Sequence, residues 1–253
     1  MILMKSIVLA AGYATRLYPL TENFPKPLLE VAGKSILDHL LEDIDTIEGI
    51  DEHIIISNHK FLHHFEEWKK TNTLKNPVTI VDDGSMTNET RLGAVCDIQF
   101  AIETLNLDDD LLIVAGDNLL DFSLSAMVDL FREKNCATVM CSYNEDVNDL
   151  RKRGVMIPDS EFRVISMEEK PEDPKSNWCV APFYIYKREQ LPLIKKGIED
   201  GCGTDAPGSF ISYLCGKADV YALKMPGKRY DIGDLKSYEE VKNIFANKNM
   251  LTK

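Results

Sequence analysis

The chain has 253 residues, 44% of them hydrophobic, enough to build one large α/β domain or a domain with an added subdomain. Its 29 Lys and Arg stand against 41 Asp and Glu, and a net charge of −12 argues against nucleic acid or an anionic membrane surface as a partner. No apolar run approaches the roughly 20 residues of a membrane span, and no cleavage-like site follows the first apolar run, so a cytoplasmic protein is expected.

The first apolar run, residues 6–10, reads as a buried strand and opens into Ala11-Gly12-Tyr13-Ala14. Backbone N–H groups in such a small-residue turn can close on a phosphate. Thr15 and Arg16 follow at once, and Lys26 sits between Pro25 and Pro27, which stiffen the segment presenting it. A backbone cradle with two fixed cations can hold a polyphosphate and neutralise charge during phosphoryl transfer. The competing reading is an ordinary strand-to-helix turn with surface charges.

Downstream, strand patterns at 53–57, 78–81, 111–115 and 137–142 alternate with helical patterns at 36–47, 62–70, 91–105 and 124–134. Ser35 and Ser123 are the expected N-caps of the first and last of these helices. The alternation predicts an α/β fold with a mostly parallel, doubly wound, Rossmann-like sheet, whose ligands bind beyond the carboxyl ends of the strands. Both the Gly12 turn and Gly116-Asp117-Asn118 fall at such ends. After residue 143 the rhythm changes to strands at 154–157, 164–167 and 179–186, helices at 189–199 and 207–214, a strand at 220–224 and a helix at 237–246. This second half reads as a smaller mixed α+β elaboration within one domain spanning 1–253.

An acid after a strand-end glycine suits a hard divalent cation on a phosphate, although an Asx turn is the alternative use of Asp117. Asp231-Ile232-Gly233-Asp234 provides a second carboxylate, and two carboxylates together with substrate phosphates are the usual Mg²⁺ set. Glu169-Lys170-Pro171 could serve a second anionic group or be a solvated turn. The six cysteines show no C-x-x-C and no zinc spacing, and His59, His63 and His64 read as surface residues, the last two too close in sequence to share a helix face. No convincing Ser/His/Asp or Cys/His arrangement stands out.

With these motifs in order, the chain resembles the sugar-1-phosphate nucleotidyltransferases, the glucose-1-phosphate thymidylyl-/uridylyltransferase superfamily. The resemblance is carried by Gly12-Tyr13-Ala14-Thr15-Arg16-Leu17, Pro25-Lys26-Pro27-Leu28, Gly116-Asp117-Asn118, Glu169-Lys170-Pro171 and Asp231-Ile232-Gly233, and spans nearly the whole chain. It implies that a nucleoside triphosphate and a phosphorylated acceptor, foremost a sugar 1-phosphate, bind side by side. The acceptor phosphate then attacks the α-phosphorus in line and expels pyrophosphate.

Residues 1–142 would form the nucleotide-binding core, and 143–253 the acceptor-binding part with the second metal ligand. By the same resemblance Leu9, Ala10, Ala11, Gly12, Thr15, Asn88 and Asp117 would contact the nucleotide. Arg16 and Lys26 would be catalytic, Asp117 and Asp231 would hold Mg²⁺, and Gly154, Glu169, Lys170 and Ala181 would meet the acceptor.

The chain departs from the family pattern at four places. Ala14 replaces a glycine, a mild change if φ there stays negative. Residues 83–94 replace the usual base-pocket segment, leaving Asn88 and Glu89 to read an amino-bearing base such as cytosine, or Glu89 to cap the next helix. Pro182 stands where the family has Thr-Gly before an aromatic, and Arg229-Tyr230 where tryptophan is frequent.

A cytidylyltransferase acting on a phosphocholine-like acceptor and a non-catalytic nucleotide-binding homologue are the alternatives. A metal-dependent glycosyltransferase would need an Asp-x-Asp motif, and its candidate, Asp108-Asp109-Asp110, precedes its strand and reads as a solvated turn.

Overall fold

A computed structural model of the chain describes residues 3–251. The first half runs β1 (Met4–Leu9), the hairpin β2 (Glu30–Val31) and β3 (Lys34–Ser35), α1 (Ile36–Ile44), β4 (Ile50–Ser57), α2 (Leu62–Thr71), β5 (Val78–Asp82), α3 (Ala94–Leu105), β6 (Asp110–Ala115), β7 (Asn118–Leu120), α4 (Ser125–Lys134) and β8 (Ala137–Tyr143). The second half adds α5 (Val147–Leu150), β9 (Gly154–Pro158), β10 (Val164–Glu169), β11 (Trp178–Tyr186), α6 (Pro192–Glu199), α7 (Gly208–Leu214), β12 (Val220–Lys224), β13 (Arg229–Asp231) and α8 (Leu235–Leu251).

Nine strands form one mixed sheet. Its centre, β6-β1-β4-β5, is parallel throughout. The near-continuous apolar stretches of β1 and β6 follow from burial on both faces: Ile7 packs with α3, α6 and α7 on one side, Val8 with α1, α2 and α4 on the other. From β1 the chain moves outward to β4 and β5 on one side and returns to β6 on the other. Such a switch point opens a crevice beyond the strand ends.

β11, from the second half, lies antiparallel to β6 and β8 and carries the sheet on to β9. Its register slips between Ala181 and Tyr184. Pro182, which has no N–H to donate, occupies this irregularity, where a proline can sit inside a sheet.

Helix starts show how local chemistry and tertiary contacts share the work. Ser35 caps α1 as expected, in a full capping box with Asp38. The Ser123 hydroxyl does accept from the Ser125 N–H, but Leu124 is the capping residue and the helix begins at Ser125. α3 begins at Ala94 instead of residue 91, because Gly93 adopts φ 92° and a Cβ there would lie 2.7 Å from the Thr204 carbonyl. The Ala94 and Val95 N–H groups donate to the carbonyls of Asp205 and Thr204, so a segment from the second half satisfies this helix end.

Other expectations need correction. Asp110 belongs to β6, is 4% exposed and accepts from the Arg188 N–H, so it is not part of a solvated turn. His59 and His63 are exposed and His64 is half-buried, in keeping with surface residues, although the adjacent His63 and His64 rings do approach to 3.9 Å by centroid, with His64 Nε2 2.9 Å from the Asn23 carbonyl. A Ser/His/Asp chain does exist: Ser6 Oγ is 2.7 Å from His53 Nδ1, and His53 Nε2 is 3.1 Å from Asp45 Oδ1. Ser6 and His53 are both 0% exposed, so this chain reaches no substrate and serves to satisfy buried polar groups.

Candidate active site

A cleft of about 550 Å³ lies across the carboxyl ends of β1 and β6. Leu9, Ala10, Ala11 and Gly12 form one wall, and Asp117 and Asn118 stand beside it. Gly116 explains how two strand ends come so close: its N–H donates to the Leu9 carbonyl, and a Cβ would lie 2.8 Å from Val8 Cγ1. Beyond β1, a Cβ on Gly12 would meet nothing within 4 Å, so the turn faces open space. Among the described residues, no protein acceptor takes the backbone N–H groups of Gly12 through Arg16. A phosphate could use them.

The turn is held from beneath. Thr21, fully buried, donates from Oγ1 to the Ala14 carbonyl at 2.8 Å. Ala14 itself adopts φ 46°, the left-handed region, so replacing glycine here is a strained choice and not a mild one.

The electrostatic centre is a chain of charged groups. Lys26, 7% exposed, opens a 3-10 turn at Lys26–Leu28, and its Nζ lies 2.6 Å from Asp117 Oδ2. Asn118 Nδ2 donates to Asp117 Oδ1 at 2.7 Å, and its own Oδ1 accepts from Arg229 at 2.7 Å. Arg229 also lies 3.6 Å from Asp231 Oδ2. Short antiparallel β13 and β7 set this arrangement by pairing Asp231 with Asn118. Lys26, Asp117, Arg229 and Asp231 all line the cleft, as does Arg16.

On the opposite wall, Asp205 joins Arg91 at 2.6 Å and Lys170 at 3.9 Å. Lys170 takes φ 52°, a left-handed conformation immediately before Pro171. Glu169 lies under this wall, and a Cβ on Gly154 or on Gly208 would meet its carboxylate at 3.0 or 2.3 Å. Those two glycines leave the room that the carboxylate occupies. Burial pushes the Glu169 carboxyl up from its ordinary value, the Lys170 charge opposing the shift.

Of the residues expected to contact ligands, the cleft brings together Leu9, Ala10, Ala11, Gly12, Arg16, Lys26, Asp117, Lys170 and Asp231. Thr15, Asn88, Gly154, Glu169 and Ala181 are not among its lining residues. Asn88 lies in a neighbouring depression with Glu89, its amide oxygen 2.8 Å from Arg91. Ala181 is buried within β11, and Pro182 reaches the cleft in its place.

Sequence reasoning missed Arg91, Asp97, Asp205, Pro207 and Arg229 as lining residues. Asp205-Ala206-Pro207-Gly208 is a compact turn signal that was available, whereas Asp97 looked like any polar residue of a helix.

Comparison with known proteins shows the family. The sequence pattern of the family described as nucleotidyl transferase matches residues 5–248. The chain belongs to that family. It is 32% identical over 94% of its length to a predicted mannose-1-phosphate guanyltransferase of Sulfolobus acidocaldarius, covering 62% of that protein. It is 25% identical to a UTP–glucose-1-phosphate uridylyltransferase of Haloferax volcanii, covering 91% of both chains.

The chain spans about half to two thirds of the length of the first curated relatives it matches. Among solved structures, a UDP-glucose pyrophosphorylase complexed with UDP-glucose superposes with a TM-score of 0.83 at 22% identity. The match covers 98% of this chain and 100% of that one, and it shows the shared α/β fold. Among the described residues, no helix of this family member is long and apolar enough to cross a membrane.

Proposed function

We propose that the chain is a sugar-1-phosphate nucleotidyltransferase, joining a nucleoside triphosphate to a sugar 1-phosphate with release of pyrophosphate. One observation carries the reading: Lys26, paired with Asp117 at 2.6 Å, stands in the same cleft as the unspent N–H groups of the Gly12 turn. Family membership and the guanyl- and uridylyltransferase activities named for its relatives support it.

In this reading the Gly12–Arg16 backbone and the Arg16 guanidinium hold the triphosphate. Lys26 neutralises the charge that develops at the α-phosphoryl group. The acceptor phosphate monoester already carries about −1.5 to −2 at pH 7, so it attacks without a general base. Rate enhancement then comes from alignment and charge stabilisation. Lys170 receives the acceptor phosphate, and Glu169 with Gly154 forms the floor near the acceptor. Ala181 shapes this side through Pro182, and Thr15 supports the phosphate turn. Both halves of the chain act as one catalytic domain, working in the cytoplasm on small-molecule substrates.

The residues fit a divalent cation. Asp117 and Asp231 are hard oxygen donors in one cleft, each now beside a cation of the protein, Lys26 and Arg229 respectively. Two carboxylates completed by substrate phosphates make an Mg²⁺ site, whereas a cage of protein ligands alone is unnecessary. Bound there, Mg²⁺ would neutralise phosphate charge and orient the triphosphate.

The test measures pyrophosphate release with Mg²⁺ across CTP, UTP, dTTP, GTP and ATP against sugar 1-phosphates and phosphocholine. Release that needs one triphosphate and one sugar 1-phosphate together is the expected result. Release only with CTP and phosphocholine would replace the sugar acceptor. Binding of triphosphate without release on any pair would overturn the enzymatic reading.

A further inference from the structure

Arg229 lines the cleft, yet the reaction above gives it no task. Its place follows from the alternation of β13. Arg229 and Asp231, two residues apart, share one face of the strand, while Tyr230 turns the other way, into the cluster with Leu17 and Ile232. β13 pairs Asp231 with Asn118 and Arg229 with Leu120, so the guanidinium crosses diagonally to reach Asn118 Oδ1 at 2.7 Å. From there its Nη1 lies 3.6 Å from Asp231 Oδ2.

This pair repeats the arrangement of Lys26 and Asp117. In both, the cation is the buried member: side-chain exposure is 9% for Lys26 against 38% for Asp117, and 10% for Arg229 against 48% for Asp231. The carboxylates are the accessible members, each with a fixed positive charge beside it. Arg229 is fixed because its anchor is: Asn118 is 1% exposed and donates in turn to Asp117 Oδ1 at 2.7 Å.

The two carboxylates keep lone pairs for a further ligand, since each ionised carboxylate offers about four acceptor sites. What the site lacks is net negative charge. The two acids and two cations cancel, and four Asp face five Lys and Arg across the whole cleft, although the chain as a whole carries −12. Mg²⁺ gives up its water reluctantly and needs strong anionic donors. Among the described residues, no group of three or more His, Cys, Asp or Glu side chains is placed to supply them. The phosphates of a bound triphosphate would.

Resting on the proposed cation site, we propose that Arg229 is a positioning residue that keeps Asp231 closed to divalent cations in the free protein, so that the cation is taken up only in company with the triphosphate. Lys26 has the α-phosphoryl group to engage when substrate binds. Arg229 stays on Asn118 and sets the threshold.

The test follows Mn²⁺, an oxygen-seeking stand-in for Mg²⁺, by its electron paramagnetic resonance signal and by water-proton relaxation. Mn²⁺ alone should bind the unmodified protein far more weakly than Mn²⁺ added with UTP or GTP in the absence of any acceptor. Arg229→Gln removes the charge and keeps an N–H donor for Asn118. Without nucleotide it should bind Mn²⁺ about 10-fold more tightly than the parent, or better, as expected for deleting a unit charge next to a divalent ion. Arg229→Lys keeps the charge and should behave as the parent, which a purely structural role of the guanidinium would not predict.

Equal binding of Mn²⁺ to the unmodified protein with and without triphosphate would overturn the assignment even if the variants fail to fold, and would leave the proposed enzyme intact. Mn²⁺ affinity of Arg229→Gln matching the parent, or of Arg229→Lys matching Arg229→Gln, would overturn it as well. Tighter Mn²⁺ binding by Arg229→Gln alone, in a protein that releases no pyrophosphate, would uphold it and remove the proposed reaction. No Mn²⁺ bound with either triphosphate would overturn the cation site and this role of Arg229 together.

Discussion

Lys26 and Asp117, 91 residues apart in sequence, meet at 2.6 Å at the rim of the cleft. Each holds the other where a polyphosphate and its cation would enter, so the pair is arranged before either ligand arrives. Such preorganisation avoids moving charged groups during the reaction. Lys26→Ala should lower turnover about 10²- to 10³-fold with only a modest loss of triphosphate binding. Steady-state kinetics beside calorimetric binding separates the two effects, and unchanged turnover would remove Lys26 from the transition state.

The carboxylates make a different prediction. Asp117→Asn and Asp231→Asn keep the side-chain shape but lose a negative charge each, so both should raise the Mg²⁺ concentration needed for half-maximal rate. Asp117→Ala should abolish Mg²⁺-dependent turnover, as the residue also holds Lys26. Mg²⁺ titrations on each variant check this, with identical metal dependence as the contrary result.

Ala14 carries backbone strain that glycine would relieve. A left-handed L-residue costs roughly 1–2 kcal/mol, offset in part by the greater chain entropy glycine loses on folding. Ala14→Gly should therefore stabilise the protein by up to about 1 kcal/mol, with its fold unchanged. Chemical denaturation of the two proteins measures the difference.

The buried His53 predicts an acid-side loss of stability. Desolvation is the largest influence and lowers its pKa from 6.5, while Asp45 and Glu52 oppose the shift. Below pH 6.5 the unfolded chain therefore takes up a proton that the folded chain resists, and stability falls as pH drops. Asp45 is depressed by the N–H groups of Lys75 and Asn76 and by His53, against its own desolvation. Its loss follows below about 3.8. His53→Gln should be less stable at pH 7.5 yet lose less between pH 7.5 and 5.5, as denaturation midpoints would show.

Asp97 runs the opposite way. Its folded-state pKa of about 7 lies above the ordinary 3.8, so the folded chain holds the proton more tightly and stability falls as pH rises between these values. Asp97→Asn cannot ionise and should gain thermal stability over the parent at pH 8 by more than at pH 5.

Local pattern alone determined much of this protein. The apolar runs of β1 and β6 and the amphipathic helices between strands specified a mostly parallel sheet, because strands buried on both faces leave a signature in every residue. Gly12, Arg16, Lys26, Asp117 and Asp231 were legible because glycine turns, flanking prolines and strand-end acids are contiguous features.

Tertiary structure decided what depends on distant segments. Residues 204–205 cap α3 and thereby move its start to Ala94. Arg229 reaches Asn118 across 111 positions, through the short pairing of β13 with β7 that no local periodicity announces. Asp97 is an ordinary helical acid in sequence, and only the packing of α3 buries it beside the cleft and leaves its Oδ1 without a hydrogen-bond partner among the described residues. Burial and pairing are properties of the whole fold, so a residue whose role comes from what surrounds it stays invisible until the chain has closed around it.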